Sequence, residues 1–372
     1  MKIIIIGAGA SGIVAAINYK RNHRSDDVLV IEQLVSPLKK LLASGNGKCN
    51  LGNSNIDFAN YNNPNFAKKI INGYDYKEFF KSISIETKTI GDLAYPVSES
   101  AVSVKEALQC SAHKLGIEIH TEEKLIDYSI KELIEVITNK NKYKADKLYF
   151  AGGLKSTPKL GSDGSVLDIL IKHGYKTKSP VAGLSPLYTI EKTKSIDGIR
   201  VKSKVSLFED SKLIHVEDGE VLFKEHGLSG IVIFNIMSLI ARNIEKQHKI
   251  SLDLLPDFSD VYLKNYRNSR EFSEFMLAFL NPKISAYLKE RFKNENAIFN
   301  SIKNLEFTFD KSYGFDFSQV SVGGVNVSEV DDNLMSKREK NVFIIGELLD
   351  IDGPCGGYNL TWAFASAIKS TK

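Results

Sequence analysis

The 372-residue chain has only three cysteines, Cys49, Cys110 and Cys355. No two of them are close in sequence, so a dithiol–disulfide relay finds no support. An odd, small set without framework spacing points to a reducing compartment, and the expected location is the cytoplasm. No apolar run approaches the roughly twenty residues of a membrane span. The apolar N-terminus also lacks the charged region and small-residue cleavage site of a secretory leader. No membrane partner is expected. Excess charge of one sign is missing too, with a net charge of +4. The densest basic run, Lys140-Asn141-Lys142-Tyr143-Lys144, sits between two apolar strand patterns and reads as a solvated hairpin. A nucleic-acid partner is therefore not the first expectation. There is no internal repeat, no long disordered segment and no expected metal site.

What is present begins at once. Ile3-Ile4-Ile5-Ile6 reads as a buried strand running into Gly7-Ala8-Gly9-Ala10-Ser11-Gly12, a G-x-G-x-x-G turn that opens a helix over Ala10–Asn22. Gly7 permits the tight turn, Gly9 the approach of a pyrophosphate, and Gly12 the packing of helix on sheet. The helix points free N–H groups and the positive end of its dipole at the phosphates. A second strand, Val28–Ile31, ends at Glu32, twenty residues beyond Gly12, where an acid accepts hydrogen bonds from ribose hydroxyls. An acid there disfavours NADP as the occupant.

A second glycine-rich segment stands at the other end of the chain. Gly346-Glu347-Leu348-Leu349-Asp350 follows the strand Val342–Ile345, and Gly356-Gly357-Tyr358-Asn359 leads into a last helix. Two such segments narrow the ligand to FAD, an extended dinucleotide that needs close backbone approach again near its ribityl chain and ring. Between them, Ser44-Gly45-Asn46-Gly47-Lys48-Cys49-Asn50 has the glycines and asparagines of a loop with exposed N–H groups. Lys48 there suits a reduced flavin or a phosphate, and Cys49 either faces the flavin or packs as a small hydrophobe. The predicted strand Lys144–Phe150 ends in Ala151-Gly152-Gly153, again allowing close approach. The cofactor set also takes in Gln33 beside Glu32, and Leu125 in Lys124-Leu125-Ile126. Gly161-Ser162-Asp163-Gly164-Ser165 reads as a turn with a helix N-cap. Lys48, Tyr95, His226 and Tyr358 are the candidates for catalysis.

With 372 residues, 43% of them hydrophobic, the chain has room for two or three domains and their cores. The predicted fold is α/β: a Rossmann-like, three-layer FAD-binding domain with a parallel sheet, split over residues 1–186 and 318–372. Residues 187–317 form an insert, with a β-barrel over about 187–250 and a small helical subdomain over about 251–310. Short strands are expected at Val201–Phe208, Lys212–Val216 and Glu220–Phe223. Phe272, Phe275, Met276, Phe279 and Leu280 recur at helical spacing and read as core.

These segments, with Leu51-Gly52-Asn53, Tyr95-Pro96-Val97-Ser98, His226-Gly227-Leu228-Ser229-Gly230 and Val322-Gly323-Gly324-Val325, resemble the BaiN/YhiN-type flavoproteins. That family is also described as aminoacetone-oxidase-family FAD-binding enzymes, or NAD(P)/FAD-dependent oxidoreductases. The resemblance spans nearly the whole chain. Tyr95 departs from a common phenylalanine, and Cys355 lies at a variable position of the last motif. The resemblance implies an FAD domain with a barrel and helical insert, and chemistry that in some members looks like reduction of conjugated enones, including steroid-like acids.

The function expected is an FAD-dependent oxidoreductase passing hydride between NAD(P)H and a small organic substrate. With a single G-x-G-x-x-G, any nicotinamide docks transiently. The alternative is a flavoprotein that modifies tRNA or otherwise works on nucleic acid, which requires a basic stripe. The insert instead mixes Lys264, Arg267 and Arg270 with Asp257, Asp260 and Glu271.

Overall fold

A computed structural model describes residues Met1–Lys372. The chain divides into two compact units, Met1–Val181 with Gln319–Lys372, and Ala182–Ser318.

The first unit is built on a five-stranded parallel sheet. Its order is Val342–Ile344, Lys147–Phe150, β1 (Lys2–Ile6), β2 (Asp27–Ile31) and Glu118–His120. Strands covered on both faces need unbroken apolar runs, and Ile3, Ile4 and Ile5 of β1 are wholly buried. Helix α1 (Ala10–Asn22) covers one face with Ile13, Val14 and Ile17, and Lys20 and Arg21 in its last turn complement the dipole. The C-terminal helix, Tyr358–Ser370, packs beside α1, and its Trp362 donates from Nε1 to the Gly346 carbonyl at 2.9 Å. A three-stranded meander (Leu125–Ile130, Ile134–Thr138, Lys142–Ala145) and a small sheet (Gly52–Asn53, Thr87–Ile90, Leu93–Pro96) complete the surroundings of the site.

One predicted strand, Lys144–Phe150, is in fact two. Lys142–Ala145 pairs in the meander, and Lys147–Phe150 joins the parallel sheet. The switch occurs at Asp146, whose N–H donates to the Lys2 carbonyl at 2.8 Å. The first half alternates as Lys-Tyr-Lys-Ala and the second is mostly apolar, and the change of sheet falls at the polar Asp146-Lys147.

The second unit is a closed barrel of six strands, in the order Leu187–Thr189, Gly227–Ser229, Lys212–Lys224, Arg200–Glu209, His248–Asp253 and Leu305–Ser312. Two expectations are corrected here. Lys212–Lys224 is one continuous strand and joins the two expected ones, Lys212–Val216 and Glu220–Phe223. Gly219 stays in register with Ser203, and an added Cβ there would lie 2.9 Å from Val232 Cβ, so the glycine makes room for helix Ile231–Arg242. The barrel also extends past the helical segment, because its sixth strand, Leu305–Ser312, closes the ring between His248–Asp253 and Leu187–Thr189. Four helices between Asp260 and Ile302 occupy the connection, with Phe272, Phe275, Met276 and Leu280 buried and Phe279 packed among Phe258, Tyr266 and Phe275. No helix is long and apolar enough to cross a membrane.

Closure depends on close approach at Gly227, where an added Cβ would stand 2.0 Å from the Leu187 carbonyl oxygen. Gly227→Ala is expected to destabilise the protein by about 1–3 kcal/mol, the usual cost of forced overpacking. The check is the urea midpoint by circular dichroism, and a parental midpoint would contradict this account of closure.

Candidate FAD site

Each fingerprint glycine has a distinct role. Gly7 has φ +100°, and an added Cβ would lie 2.6 Å from the Ala151 carbonyl oxygen. Gly12 faces the turn itself, with an added Cβ 1.9 Å from the Gly7 carbonyl oxygen. Gly9 is different, because nothing lies within 4 Å of its added Cβ. The fold does not need that glycine, so the open space above it is available to a ligand. Gly9 is also the N-cap of α1, with no side chain capping the helix and no acid in the first turn. An uncapped helix N-terminus beside an open glycine suits a pyrophosphate. Ala8 and Ala10 flank that opening, and Ser11 is nearly buried in the first turn of the helix.

Glu32 lies at the end of β2, almost buried. Its Oε2 accepts from Ala8 N–H at 2.8 Å and its Oε1 from Leu34 N–H at 2.9 Å. Each oxygen keeps a lone pair for a ribose hydroxyl. Burial pushes this carboxyl above its ordinary value, against the downward pull of the Leu34 and Ala8 amides. Gln33 turns its amide to the Gly161 carbonyl at 2.7 Å. Glu123 N–H donates to the Glu32 carbonyl at 2.9 Å, which sets the buried Leu125 two residues further along the chain.

The C-terminal segment returns to the same sheet edge. An added Cβ at Gly346 would lie 2.5 Å from Ser11 Oγ. Glu347 follows and is the centre of a polar cluster. Its Oε1 accepts from Ser156 Oγ at 2.7 Å and from Ser321 N–H at 2.9 Å, and its Oε2 accepts from Lys40 Nζ at 2.6 Å. An added Cβ at Gly153 would come within 3.4 Å of the same Oε2, so the stretch after Ala151 and Gly152 passes close by. Lys40, Ser156 and Ser321 were not singled out in the sequence. The only available signal was the basic pair Lys39-Lys40 after β2, which reads as solvated charge.

Asp350 points elsewhere: Asn62 Nδ2 donates to its Oδ1 at 3.2 Å, and Asn62 and Asn63 both donate to its carbonyl. Gly356 lies over the small sheet, with Asn53 Nδ2 donating to its carbonyl at 3.0 Å. Gly357 has φ +88°, and an added Cβ would lie 2.4 Å from the Gly52 backbone. Asn359 closes the preceding loop by exchanging hydrogen bonds with the Gly353 N–H and carbonyl, at 3.0 and 2.8 Å.

In the loop Ser44–Asn50, Gly45, Asn46, Gly47 and Cys49 all have positive φ, an unusual density of left-handed backbone. Ser44 Oγ donates to the Leu41 carbonyl, and Asn50 Oδ1 accepts from Gly52 N–H. Cys49 is fully buried, and burial pushes its thiol up to about 11. That is the behaviour of a packed hydrophobe rather than a reactive thiol. An added Cβ at Gly45 would lie 3.6 Å from the Tyr95 ring, so Tyr95 lines this loop.

The other three catalytic candidates are engaged. Lys48 Nζ pairs with Glu99 Oε2 at 2.6 Å, and Lys88 holds the second oxygen at 2.7 Å. Hydrogen bonds from the two ammonium groups draw the Glu99 carboxyl down to about 2. Tyr358 is buried, and its hydroxyl accepts from Asp57 N–H at 3.3 Å and Asn60 Nδ2 at 3.2 Å. His226 belongs to the second unit, exposed and 3.7 Å from Glu225.

Gly9→Val should fold with near-parental stability and purify without the yellow chromophore, because its side chain fills only the open space. Gly12→Ala should instead destabilise the protein by about 1–3 kcal/mol. Chromophore content and the urea midpoint of each variant separate the two roles, and normal flavin in Gly9→Val would contradict the first. Glu32 gives a pH dependence. A raised carboxyl takes up its proton at a higher pH than an ordinary glutamate, so retention of FAD should weaken on acidification above the ordinary carboxylate range. The profile is read from free flavin fluorescence, and Glu32→Gln should flatten it.

The comparisons with known proteins agree with this geometry. The chain is 31% identical to a 3-dehydro-bile acid delta(4,6)-reductase of Clostridium scindens, over 98% of this chain and 97% of that one. It is 26% identical to a ribosomal RNA dihydrouridine synthase of Haemophilus influenzae, over 98% and 96%. Among solved structures, 3-ketosteroid delta1-dehydrogenase from Sterolibacterium denitrificans shares the fold, with a TM-score of 0.51 at 9% identity over 99% of this chain and 98% of that one. The family model described as HI0933-like protein Rossmann domain matches residues 1–372, end to end. With the strand–glycine–helix cradle, the acid at β2 and the returning C-terminal segment in place, the chain belongs to the HI0933-like Rossmann family and is a flavin-dependent oxidoreductase with FAD as its cofactor.

Proposed function

We propose that this chain saturates a carbon–carbon double bond conjugated to a carbonyl, using electrons from NAD(P)H. Bound FAD supplies the hydride that reaches the electron-poor carbon. The observation that carries this reading is the full-length 31% identity to a protein described as a 3-dehydro-bile acid delta(4,6)-reductase. A 3-oxo group beside a ring double bond is such an acceptor. The small-molecule substrate in this reading is a ring enone.

The chain's own groups would divide the work. The uncapped N-terminus of α1 and the open space at Gly9 hold the pyrophosphate, and Glu32 holds the ribose. The N-terminus of helix Tyr358–Ser370 adds partial positive charge where negative charge accumulates. Saturation also needs a proton at the second carbon. Tyr95, whose ring lies 3.6 Å from an added Cβ at Gly45, lines the glycine loop. We assign it the proton donation.

A second reading rests on the 26% identity to a ribosomal RNA dihydrouridine synthase. Uridine also carries a ring double bond conjugated to a carbonyl, so the same chemistry would act on a base in RNA.

The test is anaerobic. Purified protein is titrated with NADH and with NADPH while the flavin absorbance is followed. The reduced protein is then offered a 3-oxo-Δ4 steroid acid, a uridine-containing ribosomal RNA fragment, or oxygen. Rapid re-oxidation by the steroid acid with a saturated product supports the first reading, and re-oxidation by the RNA with dihydrouridine formed supports the second. Re-oxidation by oxygen alone refutes both. Tyr95→Phe should slow product formation on the order of 10²-fold while leaving flavin reduction by NAD(P)H unchanged.

A further inference from the structure

Lys40 sits in the short helix Lys39–Ala43, just past β2. Its ammonium lies 2.6 Å from Glu347 Oε2 and 2.5 Å from Ser156 Oγ. Ser156 in turn donates to the other Glu347 oxygen, which also accepts the Ser321 amide. The pair is largely shielded, with the Lys40 side chain 29% and the Glu347 side chain 21% exposed. Three separate stretches of the chain therefore meet on one carboxylate: the helix after β2, the loop after Lys147–Phe150, and strand Val320–Val325.

That carboxylate occupies an electrostatically awkward place. It follows Gly346, whose added Cβ would lie 2.5 Å from Ser11 Oγ, and Ser11 is in the first turn of α1. A pyrophosphate on that helix terminus brings two negative charges. A fixed carboxylate close by, partly out of solvent, would repel them with little screening. The side chain is nonetheless anchored there, because its Oε1 is the shared acceptor for the Ser156 hydroxyl and the Ser321 amide. A positive partner resolves the conflict, and Lys40 is that partner.

We infer that Lys40 is a positioning residue for FAD that acts through Glu347. It cancels the carboxylate's charge so that the cleft accepts a dianionic pyrophosphate, and it needs no contact with the cofactor itself. The inference rests on the FAD site and not on the proposed reaction, so it stands or falls separately from the choice of substrate.

The experiment is a rescue cycle on the purified holoprotein, with FAD affinity read from the flavin fluorescence released on dilution. Lys40→Met, which exposes an uncompensated Glu347, should bind FAD roughly tenfold more weakly. Lys40→Arg should retain most of the affinity. The double variant Lys40→Met with Glu347→Gln should recover to within about twofold of the parent, since the repelling charge has gone with its partner. If Lys40→Met does not give folded protein by circular dichroism, Lys40→Gln, which still reaches both neighbours, replaces it in the cycle with the same expectations. Unchanged affinity in the single variant overturns the inference. So does a double variant as weak as the single one, because Lys40 would then be acting on the cofactor directly or on the fold.

Discussion

The cofactor unit depends on one backbone crossing at the carboxyl edge of its sheet. The Gly7 amide donates to the Ile31 carbonyl at 2.7 Å, and the Ala151 amide donates to the Ile6 carbonyl at 2.8 Å. The ends of three neighbouring strands are thus drawn together at a spacing that admits no side chain on Gly7. Ile345 extends the same pattern by donating to Phe150 at 3.0 Å. This is where strand order reverses about β1, the place at which open α/β sheets form a crevice. The opening at Gly9, the carboxylate of Glu32 and the return of Gly346 toward Ser11 all take their positions from that crossing.

Charge in this unit is handled pair by pair. Glu347 is met by Lys40, and Glu99 by Lys48 and Lys88. Asp163, although burial raises its carboxyl, is held at about 2 by Lys124 and by the Ser165 hydroxyl and amide. Glu32 differs, because burial outweighs the Leu34 and Ala8 amides and the weaker pull of Lys39, and its carboxyl is raised. A site that must take in a dianion keeps its fixed acids either neutralised or satisfied by N–H groups.

How much of this was legible in the sequence follows from range. The strand–glycine–helix signal, the acid at position 32 and the returning glycines at 346 and 356–357 are local patterns, because each role is set within one turn or one strand end. The Lys40–Glu347 pair joins residues from opposite ends of the chain, and no periodicity announces it. The strand boundary at Asp146 was hidden because strand-forming residues continue on both sides of it and what changes is the pairing partner. The strand Lys212–Lys224 looked like two because Gly219, inside it, serves neighbour packing instead of chain reversal. The last barrel strand escaped because helices intervene between it and its partner.

The chain path carries a temporal consequence. Strand Val342–Ile344 and helix Tyr358–Ser370 complete a sheet whose other strands lie in the first half of the chain, and the whole barrel unit is threaded between them. During synthesis, the early strands must wait with Phe150 and Tyr149 uncovered on one side until Phe343 arrives to stack on Tyr149 at 4.4 Å. The barrel can close in the interim, since all its strands are made first. The segment from Val342 onward, made after the barrel, therefore finishes a domain begun before it, and the cofactor cleft acquires its second wall only then.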